Sequence, residues 1–230
     1  MPEGPLPPMT ATGAATRPPP PTTDVASSSF DIFLLVQTWY PYLCCAKPEN
    51  CVLKPDSGAN LLAIHGLWPS RSTGGFPTYC SLPNPRPKLS SDVSRLSRHE
   101  WKKHGTCSSM SPSAYFSATA SSAPPPPPLL LEATNGGKIA AVLKTDELRG
   151  AYPKKVAIKT DRRCRLAEIT SCYARSSSLL LGSTGVGRQI DCPEAILHFR
   201  DTTCKNIKVP PSGHCWKTTG DEKQREGRRR

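Results

Sequence analysis

Two short segments of this 230-residue chain hold most of its candidate groups for proton transfer. The first, 64–69, reads Ile-His-Gly-Leu-Trp-Pro, and the second, 99–107, reads His-Glu-Trp-Lys-Lys-His-Gly-Thr-Cys. A histidine ionises near neutral pH and can therefore act as an acid or as a base. Imidazole, carboxylate and ammonium groups this close together are typical of general acid–base sites. The two segments therefore predict a site that transfers protons, provided that the fold brings them together.

The spacing of the second segment predicts which side chains act together. In a helix over 99–104, at about 100° per residue, four reactive side chains share one face about 140° wide. These four are His99, Glu100, Lys103 and His104. Trp101 points elsewhere and is expected to anchor the helix. The alternative is a solvated helix face whose charges have no catalytic role.

A shared zinc ion is not expected in this segment. The zinc-protease pattern His-Glu-x-x-His places its histidines four residues apart, so that both reach one metal. His99 and His104 are five residues apart, and the ammonium group of Lys103 would repel a divalent cation. A metal-free acid–base site therefore fits the spacing better than a zinc hydrolase does.

The first segment follows an apolar run, 61–64, which predicts a short buried strand that delivers His65 at its end. Gly66 lets the backbone bend there, and Pro69 ends the strand. An exposed Trp68 beside the imidazoles would suit a flat ligand such as a nucleobase. The alternative is that Trp68 and His65 are ordinary core residues.

Both segments resemble the two active-site segments of the ribonuclease T2 family, in the same order along the chain. The resemblance extends over about residues 30 to 216 and implies an α+β fold, with helices packed on an antiparallel central sheet and disulfides that stabilise it. Strand-like and helix-like stretches that do not alternate regularly favour the same class. Strands are predicted at 31–38, 60–65, 155–159, 166–172 and 206–209, and helices at 91–104, 112–120 and 139–149.

The resemblance also implies an activity and the roles of five residues. Members of the family cleave single-stranded RNA without a metal or another cofactor, by attack of the 2′-hydroxyl on the adjacent phosphate to give a 2′,3′-cyclic phosphate. On this basis His104 is the general base and His65 is the general acid. Lys103 and Glu100 are expected to stabilise the phosphorane. His99 is expected to help hold the phosphate.

Three further residues are assigned by the resemblance to substrate binding. Trp68 and Phe76 match positions that hold the base 5′ of the cut, and Gln37 is expected to contribute to the site of the other base. Ser70 replaces an aspartate that contacts the base in many members, so the base preference is left open. A non-catalytic, basic RNA-binding or defence protein on the same fold is the alternative function.

Ten cysteines indicate disulfides and an oxidising compartment, so an extracellular or vacuolar protein is expected. The resemblance implies the pairs Cys80–Cys107, Cys172–Cys215 and Cys192–Cys204, and Cys51 with Cys44 or Cys45. Cys164 and the remaining cysteine are left to pair with each other or to stay free. No signal peptide is recognisable near the N-terminus. We therefore expect that the authentic N-terminus is missing from this sequence or that export uses another route.

The net charge of +12 suits a polyanionic partner such as single-stranded RNA. No apolar segment is long enough for a membrane span, so no membrane association is expected, and the protein is expected to be a monomer. Three regions are predicted: a disordered proline-rich segment 1–29, one ribonuclease-like domain 30–216, and a charged disordered tail 217–230. Within the domain, 121–137 is expected to be a surface insert stiffened by consecutive prolines.

Overall fold

The computed structural model describes four stretches of the chain. They are residues 29–46, 61–81, 95–176 and 185–211. The expected tail and all but the last residue of the expected N-terminal segment lie outside these stretches, as do Cys51 and Cys215. Among the helices of the described stretches, none is long and apolar enough to cross a membrane.

Seven strands and six α-helices follow one another along the described residues. The strands are β1 (Ile32–Trp39), β2 (Leu62–Ser70), β3 (Ala141–Lys144), β4 (Ala157–Thr160), β5 (Leu166–Arg175), β6 (Val186–Ile190) and β7 (Asn206–Val209). The helices are α1 (Tyr40–Ala46), α2 (Arg95–Lys103), α3 (Pro112–Ser121), α4 (Pro128–Ala133), α5 (Thr145–Gly150) and α6 (Glu194–Arg200), and a 3₁₀ turn covers Gly105–Cys107.

A five-stranded antiparallel sheet forms the centre of the fold, and its strand order is β2-β1-β5-β4 with β6 also paired to β5. All eight residues of β1 are buried, as expected for a strand with both faces covered. A separate antiparallel pair joins β3 to β7. The α+β class with an antiparallel central sheet is therefore confirmed.

Alternating residues of β1 belong to two different apolar clusters, because successive side chains point to opposite faces of a sheet. Phe33 and Leu35 pack with Trp101 of α2, in a cluster that also includes Tyr115 of α3. On the other face, Leu34 packs in a cluster with Trp68 of β2 and with Ile196 and Leu197 of α6. The sheet thus fixes α2 and α6 relative to β2, and these three elements build the site described below.

The expected helix at 139–149 is wrong in its first half. Residues 141–144 form β3, and only 145–150 are helical. Ala, Leu and Lys favour a helix locally, but β3 alternates in burial and pairs with β7, with Leu143 opposite Ile207. Pairing with a distant strand outweighs the local preference. α1, α4, β6 and α6 were not predicted from the sequence.

The proline-rich stretch of the expected surface insert is attached to the core at both ends. The Nε2 amide of Gln37 donates a hydrogen bond to the carbonyl oxygen of Pro124 at 3.0 Å. Pro128 begins α4, where a proline costs no hydrogen bond. Leu130 is fully buried in the largest apolar cluster. The stretch therefore contributes a buried leucine to the core.

A disulfide joins Cys80 to Cys107, as the resemblance implies. The expected nested pairs are wrong, because the structure joins Cys172 to Cys192 and Cys164 to Cys204. Strand pairing explains the first of these, since Cys172 lies opposite Ile190 and Cys192 is only two positions farther along the chain than Ile190. The second follows from a backbone hydrogen bond between Lys208 and the carbonyl of Cys164, which brings the two loops together. Cys44 is also disulfide-bonded.

Candidate active site

His65 occupies an irregularity in β2 that sets the direction of its side chain. In the pairing of β1 with β2, Val36 faces Gly66 and Gln37 faces Ile64, so His65 is the extra residue of a bulge. Bulges of this kind redirect a side chain. The imidazole is 31% exposed and lines a cleft of about 200 Å³ together with residues of α2 and α3. His65 is therefore anchored by its strand and open to a ligand.

Two carboxylates face the two ring nitrogens of His65. Nδ1 lies 3.1 Å from Oε1 of Glu168 on β5, within hydrogen-bond distance. Nε2 lies 3.7 Å from Oε1 of Glu100 on α2. The second distance exceeds that of a hydrogen bond. Nε2 is therefore close to a negative charge but is not hydrogen-bonded to Glu100.

Glu100 is buried, and the indole of Trp68 fixes its carboxylate. The Nε1–H of Trp68 donates to Oε2 of Glu100 at 2.7 Å. Gly66 lies directly beneath this bond, since a Cβ there would come within 2.7 Å of the indole nitrogen and nearer still to the carboxylate. Only glycine leaves room for the contact between Trp68 and Glu100.

His104 follows α2 and is almost completely buried, with 1% of its surface exposed. Its ring stacks on Trp68 with a centroid distance of 4.7 Å and an interplanar angle of 15°. Burial lowers the pKa of His104 to about 3, and the positive charges of Lys103, His65, His99 and Arg200 act in the same direction. His104 is therefore neutral near pH 7, and its buried Nδ1 has no hydrogen-bond partner among the described residues.

The other members of the expected helix face lie at the rim of the site. His99 is exposed and Lys103 is half-buried, and both are close enough to affect the pKa of His104. Trp101 anchors the opposite side of α2, where it packs against Tyr115. The described residues contain no group of three or more His, Cys, Asp or Glu side chains arranged to share a metal ion.

The expectation of an exposed Trp68 is wrong. The side chain is 9% exposed, with His104 stacked on it and the guanidinium carbon of Arg200 at 4.7 Å from the ring centroid. A base has no free face of this indole to stack on. Trp68 instead holds Glu100 and His104 in place.

Phe76 is the aromatic side chain that remains accessible beside the two histidines. It is 46% exposed, and its ring lies 5.8 Å from that of His104 and 6.4 Å from that of Trp68. The loop that carries it is tied to the end of α2 by the Cys80–Cys107 disulfide. Phe76 therefore lies at the entrance to His104.

Comparison with known proteins shows which ribonucleases this chain is similar to. The profile of the Ribonuclease T2 family matches residues 30–97. Intracellular ribonuclease LX of Solanum lycopersicum is 34% identical over 114 residues, which are 40% of this chain and 47% of that protein. Ribonuclease MC of Momordica charantia is 29% identical over 185 residues, 67% of this chain and 95% of that one. A ribonuclease MC1 mutant in complex with 5′-GMP has a TM-score of 0.53 at 25% identity, covering 77% of this chain and 99% of that one.

The chain is similar to the ribonuclease T2 family in sequence and in fold. The matched part of the profile contains His65 and Trp68 and ends before His99. The chain spans about half the length of the first curated relatives that it matches. The family model therefore covers the first of the two segments, and the contacts described above connect the second segment to it.

Gln37 is buried, and its amide is bonded to the proline-rich stretch. It alternates along β1 with Thr38, whose cross-strand partner is Glu168, so its side chain faces the other side of the sheet. It is 2% exposed and donates to Pro124. The expected contact between Gln37 and a base stays a prediction. Ser70 is fully buried as well, and its hydroxyl donates to the carbonyl of Trp68.

Three charged residues of the site were missed from the sequence. Glu168 accepts from His65 through Oε1, while Oε2 lies 3.1 Å from Nζ of Lys159 and 2.9 Å from the guanidinium of Arg200. Burial alone would raise the pKa of Glu168, but the bond to His65 and the two cations outweigh it and lower the pKa to about 2. A carboxylate in the middle of an apolar strand was the only signal available in the sequence.

These contacts form a closed ring around the candidate site. His65 bonds to Glu168, Glu168 pairs with Arg200, and Arg200 lies over Trp68. Trp68 then donates to Glu100, which faces Nε2 of His65. A ring of this kind fixes each side chain from two directions, so the site is organised before any ligand binds.

Proposed function

We propose that the protein is an endoribonuclease that cleaves single-stranded RNA by acid–base transphosphorylation, with a 2′,3′-cyclic phosphate as the first product. The observation that carries the proposal is the contrast between two neighbouring histidines, one neutral and buried and the other held between carboxylates. This pairing supplies the base and the acid that the reaction requires. Similarity to the ribonuclease T2 family supports the same reaction.

His104 is the general base in this proposal. Its low pKa keeps the imidazole neutral, so that a ring nitrogen is free to take the proton of the 2′-hydroxyl. The deprotonated oxygen attacks the adjacent phosphorus and forms a phosphorane with extra negative charge. Lys103, half-buried beside His104, and His99 at the rim are placed to stabilise this charge.

His65 is the general acid. A carboxylate lies near each of its ring nitrogens, and its ring lines an open cleft. Nε2 gives its proton to the departing 5′-oxygen as the bond from phosphorus to that oxygen breaks. Glu100 acts through position and charge, because it holds Trp68 and faces the imidazolium.

Phe76 is the proposed platform for a base. It is exposed, and it partly covers His104. A base that stacks on this ring draws it away from His104 and admits the 2′-hydroxyl to the imidazole. The net charge of +12 favours the approach of RNA, and the disulfides support a location in the secretory pathway.

The test is an incubation of the purified protein with single-stranded RNA at pH 5–7, with and without EDTA. We expect cleavage in both reactions and fragments that end in 2′,3′-cyclic phosphate. Binding without cleavage would favour the non-catalytic RNA-binding alternative. Cleavage that EDTA abolishes would contradict the metal-free mechanism.

A further inference from the structure

We infer that Glu168 is a positioning residue for His65, which it holds through Nδ1 so that Nε2 is the nitrogen that exchanges a proton with RNA. The inference rests on the proposed function for the reaction, whereas the geometry stands on the structure alone. Glu168 lies 103 residues from His65 along the chain and belongs to neither active-site segment.

The protonation of the ring follows from the nature of the contact. An ionised carboxylate can only accept a hydrogen bond. At 3.1 Å from Oε1 of Glu168, Nδ1 of His65 must therefore carry a hydrogen. The exchangeable proton of the imidazolium is then the one on Nε2. Nε2 points toward Glu100 at 3.7 Å, too far for a hydrogen bond to hold that proton back.

The carboxylate of Glu168 is itself held rigidly. Its side chain lies on the buried strand β5 and is 11% exposed. Lys159 and Arg200 both contact Oε2, so Oε1 is the oxygen left for the imidazole. Arg200 is fixed in turn by a 3.0 Å bond from its Nε to Oγ1 of Thr170 and by its position over Trp68. Rotation of the carboxylate would break both cation contacts.

The charges around His65 come from four packed elements and from the residue that follows α2. β5 supplies Glu168, and α2 supplies Glu100 directly and Lys103 and His99 farther away. β4 and α6 supply Lys159 and Arg200 behind Glu168, and His104 follows α2. Removal of the Glu168 charge therefore leaves His65 facing one carboxylate and several cations.

The variant that tests this is Glu168→Gln, which keeps the size and an acceptor oxygen but removes the charge. Glu194→Gln is the matched control, because Glu194 is 85% exposed on α6 and its carboxylate pairs with Lys155. We expect Glu168→Gln to lower kcat roughly 10- to 100-fold with little change in KM, as when an acid–base group loses its orientation. Glu168→Asp should recover part of the loss.

Two measurements separate positioning from a general loss of structure. Nitrogen NMR of the histidine rings should show Nδ1 protonated in neutral His65 of the wild type and a mixture of tautomers in Glu168→Gln. The double variant His65→Ala/Glu168→Gln should be no slower than His65→Ala. An unchanged kcat together with unchanged tautomers in Glu168→Gln would overturn the inference. It would also be overturned if the losses of kcat in the two single variants added up fully in the double variant. An inactive wild type with the expected tautomers would overturn the proposed function but not the placement of His65.

Discussion

The two histidines of the site lie in opposite surroundings. His65 projects from a strand, is 31% exposed, and has a carboxylate near each ring nitrogen. His104 ends a helix, is 1% exposed, and has an indole, a phenyl ring and several cations around it. His65 thus lies beside negative charge, whereas burial and nearby cations stabilise the neutral form of His104.

This contrast assigns the two roles in the proposed reaction. A neutral imidazole can accept the proton of a 2′-hydroxyl, and an imidazolium can protonate a leaving oxygen. Two groups of identical chemistry become an acid and a base because their environments differ. The elements that create the difference are β5 with α6 on the one side, and α2 with the Phe76 loop on the other.

The largest effect is expected when each histidine is removed. His65→Ala and His104→Ala should each lower kcat for RNA by at least about 100-fold, the usual contribution of a general acid or base. A uridine 3′-phosphate ester with p-nitrophenol as leaving group distinguishes them, since this group departs without protonation. On that substrate His65→Ala should recover most of its activity, and His104→Ala should not. Equal rescue of both variants would contradict the assignment.

A smaller effect is expected when the contact that links the two histidines is disturbed. Gly66→Ala would press a methyl group into the bond between Trp68 and Glu100 and move both side chains. We expect a loss of kcat of roughly 10- to 100-fold, because displacements of about 1 Å have effects of that size. Gly150→Ala is the control, since nothing lies within 4 Å of a Cβ there. Steady-state kinetics and a thermal melt of both variants give the comparison.

The sequence predicted the contacts around the two histidines that depend on neighbours along the chain. Glu100 and His104 are one helical turn apart, and Trp101 anchors the reverse of the helix, as the spacing indicated. The other contacts depend on Glu168, 103 residues from His65, and on Arg200, which no local pattern could bring there. The family resemblance identified Glu168 only as part of a matching strand.

Burial was also beyond the reach of sequence reasoning at this site. The sequence placed Trp68 beside the imidazoles, but its exposure depended on Arg200 and on the end of α2. The same holds for Gln37, whose burial depends on the proline-rich segment. The disulfide partners of Cys172 and Cys164 depended on strand pairing in the same way. Local spacing predicted which groups are present, and long-range packing decided which of them face a substrate.

The pH dependence of the free energy of unfolding tests whether His104 is neutral in the folded protein. Its pKa is about 3 in the folded protein and 6.5 ordinarily, so the unfolded chain binds a proton that the folded one does not. The free energy of unfolding should therefore fall as the pH drops below 6.5, by at most about 1.4 kcal/mol per pH unit from this group. Glu168 adds a loss in the same direction only below its ordinary value of 4.5.

Urea unfolding of the wild type at several pH values between 7 and 4.5 measures how steeply the free energy of unfolding changes with pH. Glu168 does not contribute in this range. His104→Gln should flatten this slope, because the titrating group is gone. The exposed His198 of α6 provides the control, and His198→Gln should keep the wild-type slope. A slope that survives in His104→Gln would show that another group causes it.

The smallest effect is expected at Phe76, which separates His104 from solvent. Phe76→Ala removes the proposed stacking platform, and a base stacked on an aromatic ring contributes about 1–3 kcal/mol, so KM should rise about 10-fold. The same change uncovers His104, and reduced burial should bring its pKa back toward 6.5. The acidic limb of kcat should therefore move to higher pH. Phe76→Leu should restore much of the cover but little of the stacking, so its KM should stay high while its pH profile stays close to that of the wild type. If both variants share one pH profile with the wild type, Phe76 does not shield His104, and the low pKa of that base is due to Trp68 and the end of α2 alone.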